Sequence, residues 1–215
     1  MQIGIIAEGE SDQIAIETII QSRLNDKDII VDPLQHKKGG AGGWPLVINY
    51  CKSNDFRESL PYNDGLVIIH IDCDVLKGDG LPEDCVMQFN NLSNKDTFDM
   101  VRLKLIEFIT PEVFDKAKDK IIFAISIDSL ECWFLPIYYE QKSKQNKTTG
   151  CLATLNVELR KKEGFYIDDK DEEKYRTISK HYFKKGVIEK CYKTNESFKF
   201  FIDDFDRAVK KYREG

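Results

Sequence analysis

The sequence predicts an α/β fold: a mostly parallel sheet with helices on both faces, followed by a helical C-terminal extension. Three observations lead there. Four short apolar runs, at 2–7 (QIGIIA), 29–33, 66–72 (LVIIHID) and 120–127 (KIIFAISI), have the length and β-branched content of strands buried on both faces. Segments of helical period separate them, and such alternation argues for parallel pairing through right-handed crossovers. Beyond residue 136 the pattern is mainly helical, which divides the chain into a domain at 1–136 and an extension at 137–215 packed on it.

Each element has its own signal. After the first strand, Glu8-Gly9-Glu10-Ser11-Asp12 leads into Ile14, Ala15, Thr18, Ile19 and Leu24, a helical spacing that Ser11 or Asp12 can cap. The second strand, 29–33, runs into His36-Lys37-Lys38 and the glycine-rich stretch 39–43, ending at Trp44. That stretch is not a Walker A loop, because the Gly-Lys-Ser/Thr ending is missing. Its lysines and Trp44 suit a nucleic-acid backbone and a base, or equally a plain linker with Trp44 packed on the next helix. Residues 45–53 read as that helix, and 75–95 as a long polar loop. Phe98, Val101, Leu105 and Phe108 mark one face of an amphipathic helix over 95–109, and 111–118 adds a short one. After the fourth strand, Trp133, Phe134, Leu135 and Tyr138 read as helical core. Residues 141–149 read as a loop, 152–162 as a helix and 168–173 as a solvated acidic stretch. Residues 175–193 read as a helix pair rich in Lys180, His181, Lys184, Lys185, Lys190 and Lys193, and 198–212 as a last amphipathic helix.

Composition narrows the class. A chain of 215 residues with 41% hydrophobic and 32% charged side chains can bury a full core. Its net charge of −5 argues against a broad non-specific nucleic-acid surface, though not against a local basic face. No apolar run approaches the roughly 20 residues of a spanning helix, and Met1 leads straight into a strand without a secretory signal. The six cysteines form no C-x-x-C pair and lack zinc spacing; several sit in apolar runs, where free thiols act as small hydrophobes. The expectation is a reduced, cytoplasmic protein with no membrane partner.

The chemistry gathers at strand ends. Asp72 and Asp74 alternate with Cys73, so they share one side of the third strand's end. Two such carboxylates repel unless one is protonated or a cation sits between them, although Asp is also common in a solvated turn. Glu8 follows the first strand, with Asp12 beside it, and Glu131 follows the fourth. In a parallel sheet these ends lie at one edge, where ligands of open α/β sheets bind. Taken singly, Glu8 fits an ordinary loop acid and Asp12 a helix cap. Together, Glu8, Asp12, Asp72, Asp74 and Glu131 form an oxygen-only set suited to Mg²⁺ or Mn²⁺, and five carboxylates suit two ions.

The order strand–Glu8-Gly9–helix, then strand–Asp72-x-Asp74, resembles the Toprim domain of topoisomerases, bacterial primases and OLD-type nucleases. Asp128-Ser129-Leu130-Glu131 with Trp133 is similar to the OLD-type nucleases and to small stand-alone bacterial Toprim-like proteins. The resemblance covers about residues 1–136 and implies a Toprim-like fold. It implies that Asp12 and the pair Ser129 and Glu131 join Glu8, Asp72 and Asp74 as metal ligands, with Asp72 bridging and Glu8 and Asp72 catalytic. It also implies a downstream lysine assisting the transition state, Lys180 or else Lys184 or Lys185. The implied activity is phosphodiester cleavage of nucleic acid, DNA rather than RNA, in nucleic-acid processing or antiphage defence. The larger OLD-type proteins carry an ATPase segment that this chain lacks, which implies action alone or with a separately encoded ATPase. Two other readings stand beside it: an inert Toprim-like module that binds metal or a partner, and a nucleotide-sugar site at Asp72-x-Asp74, which the Glu8 cluster disfavours.

Overall fold

The computed structural model describes residues 1–35, 40, 42–62, 64–77, 87, 89, 91–168 and 171–214. Four strands, β1 (Ile3–Ile6), β2 (Val31–Gln35), β3 (Leu66–Asp72) and β4 (Ile121–Ser126), form one sheet in the order β2-β1-β3-β4. Every pairing is parallel. From β1 the chain moves outward to β2, then returns past β1 to β3 and β4. The order therefore reverses between β1 and β3, and a crevice opens at the carboxyl ends of those two strands.

Side-chain alternation gives the sheet two apolar faces. Ile3, Ile5, Leu66, Ile68, Ile122 and Ala124 point to one face. There they meet α1 (Glu10–Leu24), α6 (Glu131–Tyr138), α8 (Cys151–Lys162), α9 (Glu172–Ser179), α10 (Val187–Thr194) and α11 (Glu196–Glu214). Ile6, Val67, Ile69, Ile71, Ile121, Phe123 and Ile125 point to the other. That face is covered by α2 (Trp44–Lys52), α3 (Asn54–Ser59), α4 (Asn94–Ile109) and α5 (Pro111–Ala117). The remaining helix, α7 (Lys142–Gln145), is a single turn inside the stretch read as a loop. The α/β class, the parallel sheet and the helices on both faces are thus as the sequence indicates. The C-terminal helices share one core with β1, α1 and α6, and the division expected after residue 136 falls inside α6.

Both sheet edges are blunted. β2 lies two residues later than expected, because Pro33, which has no N–H to donate, sits within an edge strand where that loss is tolerated. The register shifts between Ile5 and Ile6, and Leu34 packs against Gly4, where an added Cβ would stand 2.6 Å from its Cδ1. On the opposite edge α11 lies along β4 and bonds two of its outward backbone groups. Asp204 accepts from the Phe123 N–H at 3.0 Å, and Arg207 donates to the Ile121 carbonyl at 3.4 Å. Such cover removes an edge open to strand addition.

The Trp133 ring stacks with Phe198 and Phe201, with ring centroids 4.8 and 5.5 Å away, and its Nε1 donates to Ser197 at 2.9 Å. Its place in the core is as expected. The cysteines require a correction. Cys132 and Cys151 are joined by a disulfide, while Cys51, Cys73 and Cys191 are free and buried. The pair lies 19 positions apart in sequence, and only the packing of α8 on α6 brings their Cα atoms to 5.0 Å. Among the described residues no helix is long and apolar enough to cross a membrane.

Candidate functional site

The turn after β1 is built on backbone bonds. Gly9, in extended conformation, is the N-cap residue of α1, so neither Ser11 nor Asp12 caps that helix with its side chain. Both lie in its first turn and are buried. Gly43, at a φ of 107° that favours glycine, donates its N–H to the Glu8 carbonyl at 2.7 Å and starts α2 there. The Glu8 carboxylate accepts from the Asp72 N–H at 3.1 Å, tying the end of β1 to the end of β3. Beyond the strands, the Cys73 N–H donates to the Ser126 carbonyl and the Asp74 N–H to that of Asp128, both at 2.9 Å. The three strand ends are therefore cross-bonded into one platform.

On this platform Glu8, Asp72, Asp74, Ser129 and Glu131 line one cleft of about 270 Å³, together with Val75, Leu152, Ile167, Asp168 and Tyr175. Glu8, Asp72 and Glu131 are only 6%, 5% and 6% exposed, whereas Asp74 faces solvent. Asp12, 1% exposed, is not part of the lining; its charge, with those of Glu131 and Asp72, bears on the Tyr175 phenol. The fold thus brings together the acids that the sequence places at three separate strand ends. Among the described residues no three of these carboxylates bring oxygens within 4.8 Å of one another; the one set of potential ligands that does is Asp128, Cys132 and Cys151. The cleft is open rather than a closed cage.

Neighbouring side chains hold the acids in place. The Tyr175 hydroxyl donates to Glu131 in a short hydrogen bond. Burial first, then the Glu131 charge and that bond, push the phenol far above its ordinary pKa, so Tyr175 is a permanent donor. His70, fully buried in β3, places Nε2 3.2 Å from Ser126 Oγ and 3.4 Å from Asp72 Oδ1. Its ring meets Trp133 edge-on at 6.2 Å.

The basic residues are arranged differently from expectation. Lys180 is exposed on the turn after α9 and does not line the cleft. That turn packs on the far end of α1, where Ser22 donates to the Tyr182 carbonyl at 2.7 Å. Ser22 is ten residues beyond Asp12, about 15 Å along the helix. Lys184 and Lys185 are also exposed, and Lys184 contacts His181 Nδ1 at 2.8 Å. Among the described residues Lys174, itself outside the lining, reaches the cleft wall: its Nζ lies 2.9 Å from Asp168 and 3.7 Å from Asp171. Lys37 and Lys38 of the glycine-rich stretch lie outside the described residues, as does most of the loop expected over 75–95.

Sequence reasoning missed Tyr175, Lys174 and Asp168. A tyrosine or a lysine–aspartate pair in a polar stretch carries no periodicity or motif, and only the docking of α9 beside α1 brings them to the strand ends. Comparison of the chain with protein-family models, with curated protein sequences and with solved structures finds no match.

Proposed function

We propose that this protein is a Toprim-type nuclease, dependent on Mg²⁺ or Mn²⁺, that cleaves phosphodiester bonds of nucleic acid, DNA rather than RNA. One observation carries the reading: Glu8, Asp72, Asp74 and Glu131, with Ser129, come from the ends of three parallel strands and line a single cleft at the point where strand order reverses. The donor set fits the ions. It is all oxygen, and three of its carboxylates are buried, an arrangement costly without a cation among them. An open spread of donors also suits Mg²⁺, which keeps several of its own waters. Glu8, Asp72, Asp74, Ser129 and Glu131 would hold the metal, with Asp12 behind them; once bound, it supplies Lewis acidity and an activated water.

The chain's own groups set the geometry. The Asp72 N–H fixes the Glu8 carboxylate, and the Tyr175 hydroxyl fixes Glu131. Lys174 stands where a cation can meet a phosphate entering past Asp168. We place the protein in the cytoplasm, working in nucleic-acid processing or antiphage defence, alone or with a separately encoded ATPase.

The test is nicking of supercoiled plasmid with Mg²⁺ or Mn²⁺, with and without a candidate ATPase. Asp72→Ala and Glu8→Ala are expected to lower cleavage by roughly a hundredfold or more, as loss of a group that organises transition-state charge does. Undiminished cleavage by both variants would remove the reading. Metal binding by the wild type with no cleavage under any condition would mark the inert Toprim-like module instead.

A further inference from the structure

One residue beyond Glu131 a second set of donors meets, of different chemistry. The Asp128 carboxylate and the Cys132 and Cys151 sulfurs lie within 4.8 Å of one another. Asp128 adopts a left-handed conformation, φ 72°, that few side chains tolerate. In it, Oδ2 lies 3.9 Å from Cys132 Sγ and accepts the Cys151 N–H at 3.3 Å. Cys151 is the first residue of the 12-residue helix α8, whose positive end favours a thiolate there.

We propose that Asp128, Cys132 and Cys151 form a redox-gated site for a thiophilic divalent cation of the zinc class, blocked by the disulfide and available once it is reduced. The donors match the metal. Two thiolates and a carboxylate suit zinc; a tetrahedral site with sulfurs at about 2.3 Å from the ion sets them roughly 3.8 Å apart, so the two sulfurs, bonded to each other in the disulfide, must part to that distance once it is reduced. Mg²⁺ prefers the all-oxygen cleft next door, so the two sites select different ions. The Cα separation of 5.0 Å lets both cysteines reach one ion by side-chain rotation.

The redox step needs an external dithiol. One of its thiolates attacks a protein sulfur, the Cys132–Cys151 bond breaks, and the second thiol closes the reductant's own disulfide. Two electrons and two protons pass to the protein, leaving two thiols. Both cysteines are fully buried, so attack requires the first turn of α8 to open; exposed Gly150, at φ 59°, immediately precedes that turn. The cation then displaces both thiol protons to solvent, and water takes the fourth position. Glu131 precedes Cys132 and Leu152 follows Cys151, and both line the carboxylate cleft, so loading or oxidation of this corner acts on the cleft wall.

The test is anaerobic Co²⁺ titration of full-length protein, either oxidised or reduced with dithiothreitol and desalted, with free thiols counted. Reduced protein is expected to show thiolate-to-cobalt charge-transfer absorption that saturates at a single equivalent and is displaced by Zn²⁺. Oxidised protein, Cys132→Ser and Cys151→Ser are expected to show none. Asp128→Asn, the variant least disturbing to packing, is expected to bind at least about tenfold more weakly. Asp72→Ala is expected to keep the band, which separates this site from the carboxylate cleft. Absence of the band from natively folded, reduced wild type overturns the proposal. So does a band undiminished in the two serine variants, which would assign it to other cysteines.

Discussion

The two faces of the sheet are built on different physics. The face covered by α2 to α5 is a continuous apolar cluster, from Ile6, Ile69 and Phe123 to Val101 and Leu105. The face covered by α1, α6 and α8 to α11 is as deeply buried but carries His70, Asp72 and Ser126 on the same strands. Those polar groups meet one another and their neighbours, His70 Nε2 standing 3.4 Å from Asp72 Oδ1. His70 meets Ser126, Trp133 donates to Ser197, and Tyr182 donates to the Trp133 carbonyl at 2.9 Å. Ser197 donates in turn to Asn195 at 3.1 Å. Apolar packing dominates the first, dry face, with Arg57 donating to the Phe108 carbonyl at 3.2 Å, whereas a web of buried side-chain hydrogen bonds runs through the face that ends in the carboxylates. Buried polar groups cost little when satisfied and much when one partner is lost.

That contrast can be broken experimentally. The largest stability effect is expected on the dry face, where Phe123→Ala removes a fully buried ring and should cost about 3–5 kcal/mol in urea unfolding. The cleft should be unaffected, with Mn²⁺ affinity unchanged. On the polar face, Tyr175→Phe keeps the ring but leaves the buried Glu131 carboxylate without its hydroxyl donor. The expected loss is about 1–3 kcal/mol, with weakened metal binding that the dry-face variant does not show.

Alkaline pH should affect both faces together. Burial raises the Cys51 thiol, on the dry face, and the Cys191 thiol, on the other, from the ordinary 9.0 to about 12. In the unfolded chain these thiols ionise near 9; in the folded protein they stay protonated to about 12. Their contribution is therefore whole below pH 9 and is lost as pH rises toward 12, by up to about 1.4 kcal/mol per pH unit per thiol. Thermal melts between pH 8 and 11 should show this decline, and Cys51→Ala should flatten it. The smallest effect is expected at Lys180. Lys180→Ala should change stability by less than about 0.5 kcal/mol and leave plasmid cleavage within roughly twofold, whereas Lys174→Ala should reduce cleavage. Equal losses from both lysine variants would show that distance from the cleft does not separate their roles.

Much of the architecture was legible in the chain. Four apolar runs of strand length, helical periods between them and acids at three strand ends were enough for the α/β class and for the gathering of Glu8, Asp72 and Glu131. Strand spacing and side-chain alternation are local properties, and parallel pairing forces the carboxyl ends to one edge. Local pattern failed where a single tertiary contact decided the outcome. Asp12 read singly as a helix cap and, with the other acids, as a metal ligand; Gly9 starts the helix, and the Asp12 carboxylate is buried behind the cleft rather than in its lining. Lys180 read as the helper cation, yet the docking of α9 and its following turn along α1 carries it to the far end and leaves Lys174 at the rim. Cys132 and Cys151 read as unrelated free thiols until α8 packed on α6. The sequence by itself determined which groups stand at the strand ends, because side-chain alternation and parallel pairing depend on short-range geometry. Only the tertiary structure decided which helices close over them, because those contacts join residues 19 to 160 positions apart, and no periodicity along the chain records them.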